Sequence, residues 1–373
     1  MWRNTLKKSN PAIIVIAYNR KTALMRLLDS INRAEYPSDD IQLVISVDKS
    51  DSDGTIKAAR SFNFNHGQVR IIEHEKNMGL KKHVLSCGDL TAEYGSAILL
   101  EDDLIVSPQF YNYTVSALDF VVSDKRVAGV SLYNHRLNVH VRRPFEAMED
   151  GYDNYYFQFA SSWGQAFSEN QWEGFKKYLA DYGDREVADV SVPKFVSSWS
   201  DKSWLKHYIR YMIDNDLYFI YPRVSLTTNF SEEGEHAVSA NDDLQVPLLY
   251  GKKDWRFSSL DEATAVYDAF FENVRVSKDR LDLYGYKQIT DDIDKLISTK
   301  ALPYKVIESY GLHLRPHEMN VVLKMPGNDI FLYDVKTSSE PPKYNEARIR
   351  MYDYRAFKVS HGIRIAKARL FKR

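Results

Sequence analysis

The chain has 373 residues, 44% of them hydrophobic and 27% charged, which is ordinary globular usage with length enough for a sizeable core. Its 50 Lys and Arg nearly cancel its 51 Asp and Glu, so no global charge marks it for nucleic acid and any electrostatic function has to be local. Met1 to Asn10 is polar and basic, unlike a secretory leader, and no stretch reaches the roughly 20 apolar residues of a spanning helix; the expected class is soluble or bound at a membrane surface.

Ala12 to Ala17 is a continuous apolar run and reads as a buried parallel strand. Polar Tyr18, Asn19 and Arg20 follow, and then Leu24, Leu27, Leu28 and Ile31 recur at helical spacing. Ile41 to Val47 reads as a second strand ending at Asp48, with a turn over Asp51 to Gly54 and Thr55 as a cap. Val69 to Ile72 is a third strand. Asn77, Met78 and Gly79 make a turn before a helix that holds Cys87, the one cysteine. A lone cysteine forms no internal disulfide, so a reducing compartment is its simplest home, and without a nucleophile motif it reads as inert packing. Ala97 to Leu100 is a fourth strand running into Glu101, Asp102 and Asp103. Ser107 and Pro108 look like the cap and first residue of the next helix, and Val127 to Leu132 is a fifth strand.

Strands alternating with helices predict βαβ units and a mostly parallel α/β sheet. In such sheets ligands bind beyond the carboxyl ends of the strands. The polar groups at those ends are Tyr18, Asn19 and Arg20, then Asp48, then Glu101 to Asp103. From about residue 150 the pattern changes. Tyr155 to Phe159 is aromatic and strand-like, Ser161 to Gly164 a tight loop, Trp199 to Asp214 a helix, and Leu217 to Tyr221 a strand. Thr227 to His236 reads as a loop, and Val321 to Val335 as a hairpin around Pro326 to Asp329.

Three successive acids after a buried strand exceed what a helix cap needs. Hard oxygen ligands suit Mg²⁺ or Mn²⁺, which keep water and substrate phosphate in their shell; a solvated strand end is the plainer reading. Asp48 can accept hydrogen bonds from a ribose or base, or simply close a turn. Arg20 can pair with phosphate or sit on the surface. Lys81 and Lys82 follow Gly79 and can reach phosphate or face solvent. Aromatic residues are plentiful, with 25 Tyr, 18 Phe and 6 Trp; some can stack on sugar rings, though core packing explains most.

The stretches Ile16 to Arg20, Val44 to Asp48 and Leu100 to Leu104 with Ser107 and Pro108 resemble the fold-A (GT-A) glycosyltransferases. The resemblance is to the eukaryotic N-acetylglucosaminyltransferase I family in particular. Val130 and Ser131, Ser162 to Gly164, Trp199 to Asp201, and Thr228 to Phe230 through Gly234 and His236 follow in the same order, so the likeness runs from Pro11 to His236. It implies an inverting transfer from a uridine-diphosphate-linked sugar with Mn²⁺ or Mg²⁺. Asp103 would then be the metal ligand, with Glu101 and Asp102 on the donor sugar or ribose. Tyr18, Asn19, Arg20, Asp48 and Lys82 would line the nucleotide, Asp201 would be the general base, and Trp163 and Gly164 would face the acceptor. Asn229 to His236 would close over the donor; His236 itself can touch phosphate or metal, or simply be exposed. Where that family has Trp-Asp-Asp-Trp, this chain reads Trp199-Ser200-Asp201-Lys202-Ser203-Trp204, and Ser161 and Ser162 replace its glycine. No run in it is expected to serve as that family's membrane anchor, which fits the bacterial family 2 glycosyltransferases.

Asp201 stands on chemistry too, since inverting transfer needs one base for the acceptor hydroxyl, while a cap for the helix near Lys202 is the plainer role. From Tyr354 to Arg373 there are seven basic residues and no acid, a basic amphipathic tail suited to an anionic membrane surface.

The expected architecture is therefore a GT-A domain over 1–240, with a nucleotide-binding half over 1–135 and an acceptor-binding half over 136–240. A helical and hairpin extension over 241–353, making the C-terminal part α+β, and the tail over 354–373 follow. The expected partners are a nucleotide-sugar donor and a glycan or lipid-linked glycan acceptor of surface polysaccharide synthesis, not nucleic acid. The expected place is the cytoplasm or the inner face of the membrane. A sugar nucleotidyltransferase is the rival, but Tyr18 to Thr22 lacks the glycines of its phosphate loop; a non-catalytic glycan-binding module would not need the acid triplet.

Overall fold

A computed structural model describes residues 9–183, 187, 189–230, 244–251, 254–343, 348–349 and 352. The basic tail and His236 lie outside these residues. By compactness the chain divides into one unit of Met1–Arg136 with Glu149–Phe270 and a second of Leu137–Met148 with Phe271–Arg373. The expected boundary at 240 does not coincide with this division, because a strand from beyond it joins the first unit's sheet.

The first unit opens with β1 (Ala12–Ala17), α1 (Lys21–Asn32), β2 (Ile41–Val47), α2 (Gly54–Ser61), β3 (Gly67–Glu73), α3 (Leu80–Gly88), α4 (Thr91–Tyr94) and β4 (Ser96–Glu101). Next come β5 (Leu104–Val106), α5 (Phe110–Val121) and β6 (Val127–Ser131). A two-stranded ribbon of β7 (Leu137–Asn138) and β8 (Arg143–Pro144) belongs to the second unit. The first unit resumes with β9 (Asn154–Phe157), β10 (Gln165–Ser168), α6 (Glu169–Tyr182), α7 (Lys194–Ser197), α8 (Trp204–Asp214), β11 (Tyr218–Pro222), β12 (Thr227–Asn229) and β13 (Val266–Tyr267).

The main sheet runs β13-β9-β11-β6-β10-β4-β1-β2-β3. β1 pairs in parallel with β2 and β4, and β2 with β3, while β10 runs antiparallel between β4 and β6. This is the expected fold class, a mostly parallel sheet flanked by helices. Ile13, Val15, Leu43, Ile45, Ile98 and Leu100 share the core with Leu24, Leu27, Leu28 and Ile31 of α1. Their alternates Ile14, Val44 and Leu99 are buried as well. Burial of both faces is why these strands read as unbroken apolar runs rather than alternating ones.

Three local expectations are corrected. The helix read from Trp199 starts only at Trp204, capped by Ser203, whose Oγ accepts the Lys206 N–H. Helix α5 starts at Phe110 with Gln109 at its cap position, two residues after Pro108, while Ser107 still closes the turn before it: its Oγ accepts the Gln109 N–H at 3.1 Å and donates to the Leu249 carbonyl at 2.5 Å. Thr227–Asn229, read as loop, is a strand paired antiparallel with β5.

The second unit adds β14 (Arg280–Asp282), β15 (Lys295–Ser298), β16 (Tyr304–Tyr310), α9 (Met319–Val322) and β17 (Ile330–Ser338). Their sheet runs β14-β15-β17-β16, the expected C-terminal α+β extension. Val321 lies in α9, so the expected hairpin is wrong in its first arm: β17 pairs with β16 instead.

Candidate active site

The parallel strands end together. In the β1–β4 register Ile16 faces Glu101, in the β1–β2 register Ala17 faces Val47, and the Asp48 N–H donates to the Ala17 carbonyl at 2.9 Å. Tyr18 to Arg20, Asp48 and Glu101 to Asp103 therefore emerge side by side. Asp102 and Asp103 form the two-residue break between β4 and β5, an arrangement that turns the chain and leaves the Asp103 side chain 25% exposed.

Arg20 occupies the cap position of α1 and joins both aspartates. Its Nη2 donates to Asp102 and its Nη1 to Asp103 Oδ2 at 3.2 Å. Burial works against the Arg20 charge, but Asp102 and Asp103 outweigh it and hold the guanidinium above its ordinary value. For Asp102 burial wins: it pushes the carboxyl up to about 6 despite the pull of Arg20, with Asp103 adding repulsion. Glu101 is pushed up to about 8, first by burial and then by Asp103 and Asp102. Three adjacent acids thus do not share three charges at neutral pH.

That elevation has a consequence for stability. A carboxyl raised in the folded state carries no penalty below its ordinary value near 4.5 and an increasing one as pH climbs through its folded value. Urea unfolding in chelator should show the wild-type losing stability between about pH 4.5 and 8. Glu101→Gln should flatten that decline and be the more stable protein at the alkaline end. Parallel pH profiles would show that Glu101 is not the group responsible.

Asp48 is buried and its carboxylate is engaged by backbone. Met78 N–H donates to Oδ1 at 2.9 Å and Oδ2 at 3.1 Å, Gly79 N–H to Oδ2 at 3.0 Å, and Lys49 N–H to Oδ1 at 2.9 Å. Asp48 therefore closes the turn that starts α3, and Gly79 takes φ 72° there, where a side chain would be strained. Asp48→Asn replaces one acceptor oxygen by a donor facing these amides and should cost about 2 kcal/mol of unfolding free energy. A variant of unchanged stability would leave nucleotide contact as the residue's main work. Asp48 also lines a small cleft with Lys49, Ser52, Asp53, Glu73 and His74. Beneath it, the Ser46 hydroxyl lies 3.1 Å from His74 Nε2 and 2.7 Å from His83 Nε2. With one hydrogen, it donates to one ring and accepts from the other. Burial lowers His83 to about 4, against Asp48, which raises it, so this imidazole is neutral near pH 7. Burial pushes Cys87 up to about 12, as inert packing requires.

Tyr18 and Asn19 are exposed at the same edge, and Lys82 is exposed on α3. Trp163 is half-buried; its ring packs at 4.7 Å from Tyr133 and 5.8 Å from His135. Its carbonyl accepts Thr227 Oγ1 at 2.5 Å. Gly164 has φ 92°, and a Cβ there would meet Thr227 at 2.7 Å. Ser162, one residue before Trp163, hydrogen-bonds Glu101. Of the loop expected to close over the donor, Asn229 and Phe230 are described. Asn229 pairs with Leu104, the Phe230 N–H donates to the Asp103 carbonyl at 3.0 Å, and the Arg26 guanidinium sits 3.6 Å from the Phe230 ring centroid.

Asp201 stands apart from the triplet in sequence but is tied to the same helix as Asp48. Lys81 of α3 donates through Nζ to the Asp201 carbonyl at 3.2 Å and to His207 Nε2 at 3.0 Å. Lys206 Nζ donates to Asp201 Oδ1 at 3.1 Å and to the Trp199 carbonyl at 3.0 Å. The Asp201 carboxyl lies below the usual range, held there first by the Lys206 hydrogen bond and charge. Asp201 does not cap α8, since Ser203 does. Sequence reasoning missed Lys206 altogether: on a helical wheel a lysine reads as solvated.

Residues 12–168 match the model of glycosyl transferase family 2. The matched segment holds β1 through β10 and, within it, every residue discussed above from Tyr18 to Gly164. The match is to family 2, and it lends no support to the N-acetylglucosaminyltransferase I likeness. No curated protein matches the chain. Among solved structures, the mannosyltransferase PcManGT from Pyrobaculum calidifontis, in complex with GDP-Man and Mn²⁺, is 17% identical with a TM-score of 0.32. That likeness covers 46% of this chain and 49% of that one. S. aureus TarS 1–349 in complex with UDP-GlcNAc is 14% identical with a TM-score of 0.36, covering 62% and 61%. The chain thus spans about half to three-fifths of these structures. Among the described residues, no helix is long and apolar enough to cross a membrane.

Among the described residues no three His, Cys, Asp or Glu side chains converge as a cage. Magnesium-type ions, however, are commonly held by one or two carboxylates, with phosphate and water completing the shell. A quarter-exposed Asp103 paired with Arg20 through Oδ2 suits that arrangement.

Proposed function

We propose that this protein transfers a sugar from a nucleotide-diphosphate donor, uridine-linked, to a glycan acceptor with inversion. The observation that carries the reading is the acid turn Glu101–Asp103 at the carboxyl edge of the sheet, beside Arg20 and Asp48, inside the family 2 segment. Ligands of open parallel sheets bind at that edge. Tyr18, Asn19 and Lys82 would line the nucleotide, and Arg20 would meet its diphosphate as a planar, permanently charged donor. Asp103 would hold Mn²⁺ or Mg²⁺, which when bound neutralises charge developing on the leaving diphosphate. Asp201 would take the acceptor hydroxyl proton, as the one base that inverting transfer needs. Trp163, half-buried one residue after the Ser162 that bonds Glu101, and Gly164 would face the acceptor. The surface-polysaccharide acceptor, the closing loop through His236 and the membrane-bound tail belong to the same reading.

The test is direct. The protein is incubated with a panel of nucleotide sugars and Mn²⁺, and release of nucleotide diphosphate is followed with and without glycan acceptors. Acceptor-stimulated release from one donor supports the reading. Release of pyrophosphate from a nucleoside triphosphate and a sugar phosphate would replace it with nucleotidyl transfer, and no turnover with any donor would leave a binding module.

A further inference from the structure

Lys206 is an unusual lysine. It is 7% exposed on α8, whereas the Asp201 side chain it holds is 96% exposed. Surface ion pairs ordinarily have both partners in water and contribute little. Here the cation is sunk and the anion projects. Burying an ammonium is costly unless its donors are used, and Nζ uses them on the Trp199 carbonyl and Asp201 Oδ1. The two contacts pin both sides of the 199–201 turn from below, engage one carboxylate oxygen and leave Oδ2 in solvent.

We propose that Lys206 is the positioning residue for Asp201, fixing one carboxylate oxygen so that the other faces the acceptor hydroxyl. The proposal rests on the reading of Asp201 as the base. A second brace comes from α3, where Lys81 holds the Asp201 carbonyl and His207. Because an ammonium only donates, His207 Nε2 carries no proton there. The groups facing Asp201 are thus Lys206 and His207 from α8 and Lys81 from α3. Lys81 lies two residues beyond Gly79, whose N–H is bound by Asp48. One short helix start therefore connects the nucleotide edge of the sheet to the base.

The experiment measures kcat against pH, acceptor KM and thermal unfolding for the full-length protein. The variants are Lys206→Met, Lys206→Arg, Asp201→Asn and the Asp201→Asn/Lys206→Met double. Methionine keeps the buried length without the charge. We expect Lys206→Met to lower kcat roughly 10²-fold, the size of effect that misplacement of a reacting group produces. Its acid limb should move to higher pH, because the neighbouring cation no longer favours the ionised carboxylate. Arginine should keep the limb and most of kcat. The double variant should be no slower than Asp201→Asn alone, as for residues acting as one unit. Should the methionine variant fail to unfold cooperatively, Lys206→Gln, which keeps a donor, takes its place with the same expected shift of the limb. An inactive Asp201→Asn beside a Lys206→Met enzyme of unchanged kcat and acid limb overturns the positioning role alone. Full turnover in Asp201→Asn overturns the base reading and the positioning role together.

Discussion

Asp103→Ala should lower kcat/KM at least roughly 10³-fold, the upper range for loss of one group that stabilises developing charge. The physical case is local. Asp103 is the exposed member of the acid turn, and Arg20 already neutralises its buried neighbour Asp102. Of the two aspartates, Asp103 is thus the one able to present a carboxylate to an added cation and a diphosphate. The fold should survive, because the turn is held by backbone: β4 pairs with β1 and β10, β5 with β12, and the Asp103 carbonyl accepts the Phe230 N–H. None of these contacts needs the Asp103 carboxylate. The check is steady-state kinetics over a Mn²⁺ titration, alongside nucleotide binding with and without the metal. Metal should strengthen nucleotide binding in the wild-type and have little effect in the variant. Full activity in chelator, or in the variant, would remove the metal from the mechanism.

Asp201→Asn should lower turnover by roughly 10²–10⁴-fold, the usual worth of a general base, with donor affinity little changed. The residues proposed for the donor lie at the ends of β1, β2 and β4, while Asp201 lies on the turn before α8. Ser203 rather than Asp201 caps that helix, so the thermal midpoint should scarcely move. That separates a catalytic loss from a structural one. Because Lys206 holds the carboxyl below its ordinary range, the base stays ionised well into acid, and the acid limb of the wild-type profile should lie low. Loss of thermal stability without loss of turnover would make Asp201 a structural residue, with the Lys206 contact as the interaction lost.

Much of this candidate site is legible in the residues alone. Ala12–Ala17, Ile41–Val47 and Ala97–Leu100 read as buried strands because an apolar run cut off by polar residues is a purely local signal. The rule that ligands gather at carboxyl ends then picks out Arg20, Asp48 and Glu101–Asp103 without knowledge of any contact. The alternation of elements carried the fold class in the same way. Thr227–Asn229 was missed because a three-residue polar strand has no periodicity of its own; it exists through pairing with Leu104–Val106. The helix before Trp204 was overextended because the 199–203 turn contains residues that a helix tolerates.

What the residues determined alone was where polar chemistry interrupts a hydrophobic sheet, since strand burial is written into each run of side chains. What only tertiary structure decided was the electrical state of those groups and their orientation. Arg20 reaches Asp102 and Asp103 across more than eighty residues, Lys81 reaches Asp201 across 120, and the burial that lifts Glu101 or sinks Lys206 depends on what packs over them. Charge, desolvation and hydrogen bonding act through space, so no local pattern can encode them.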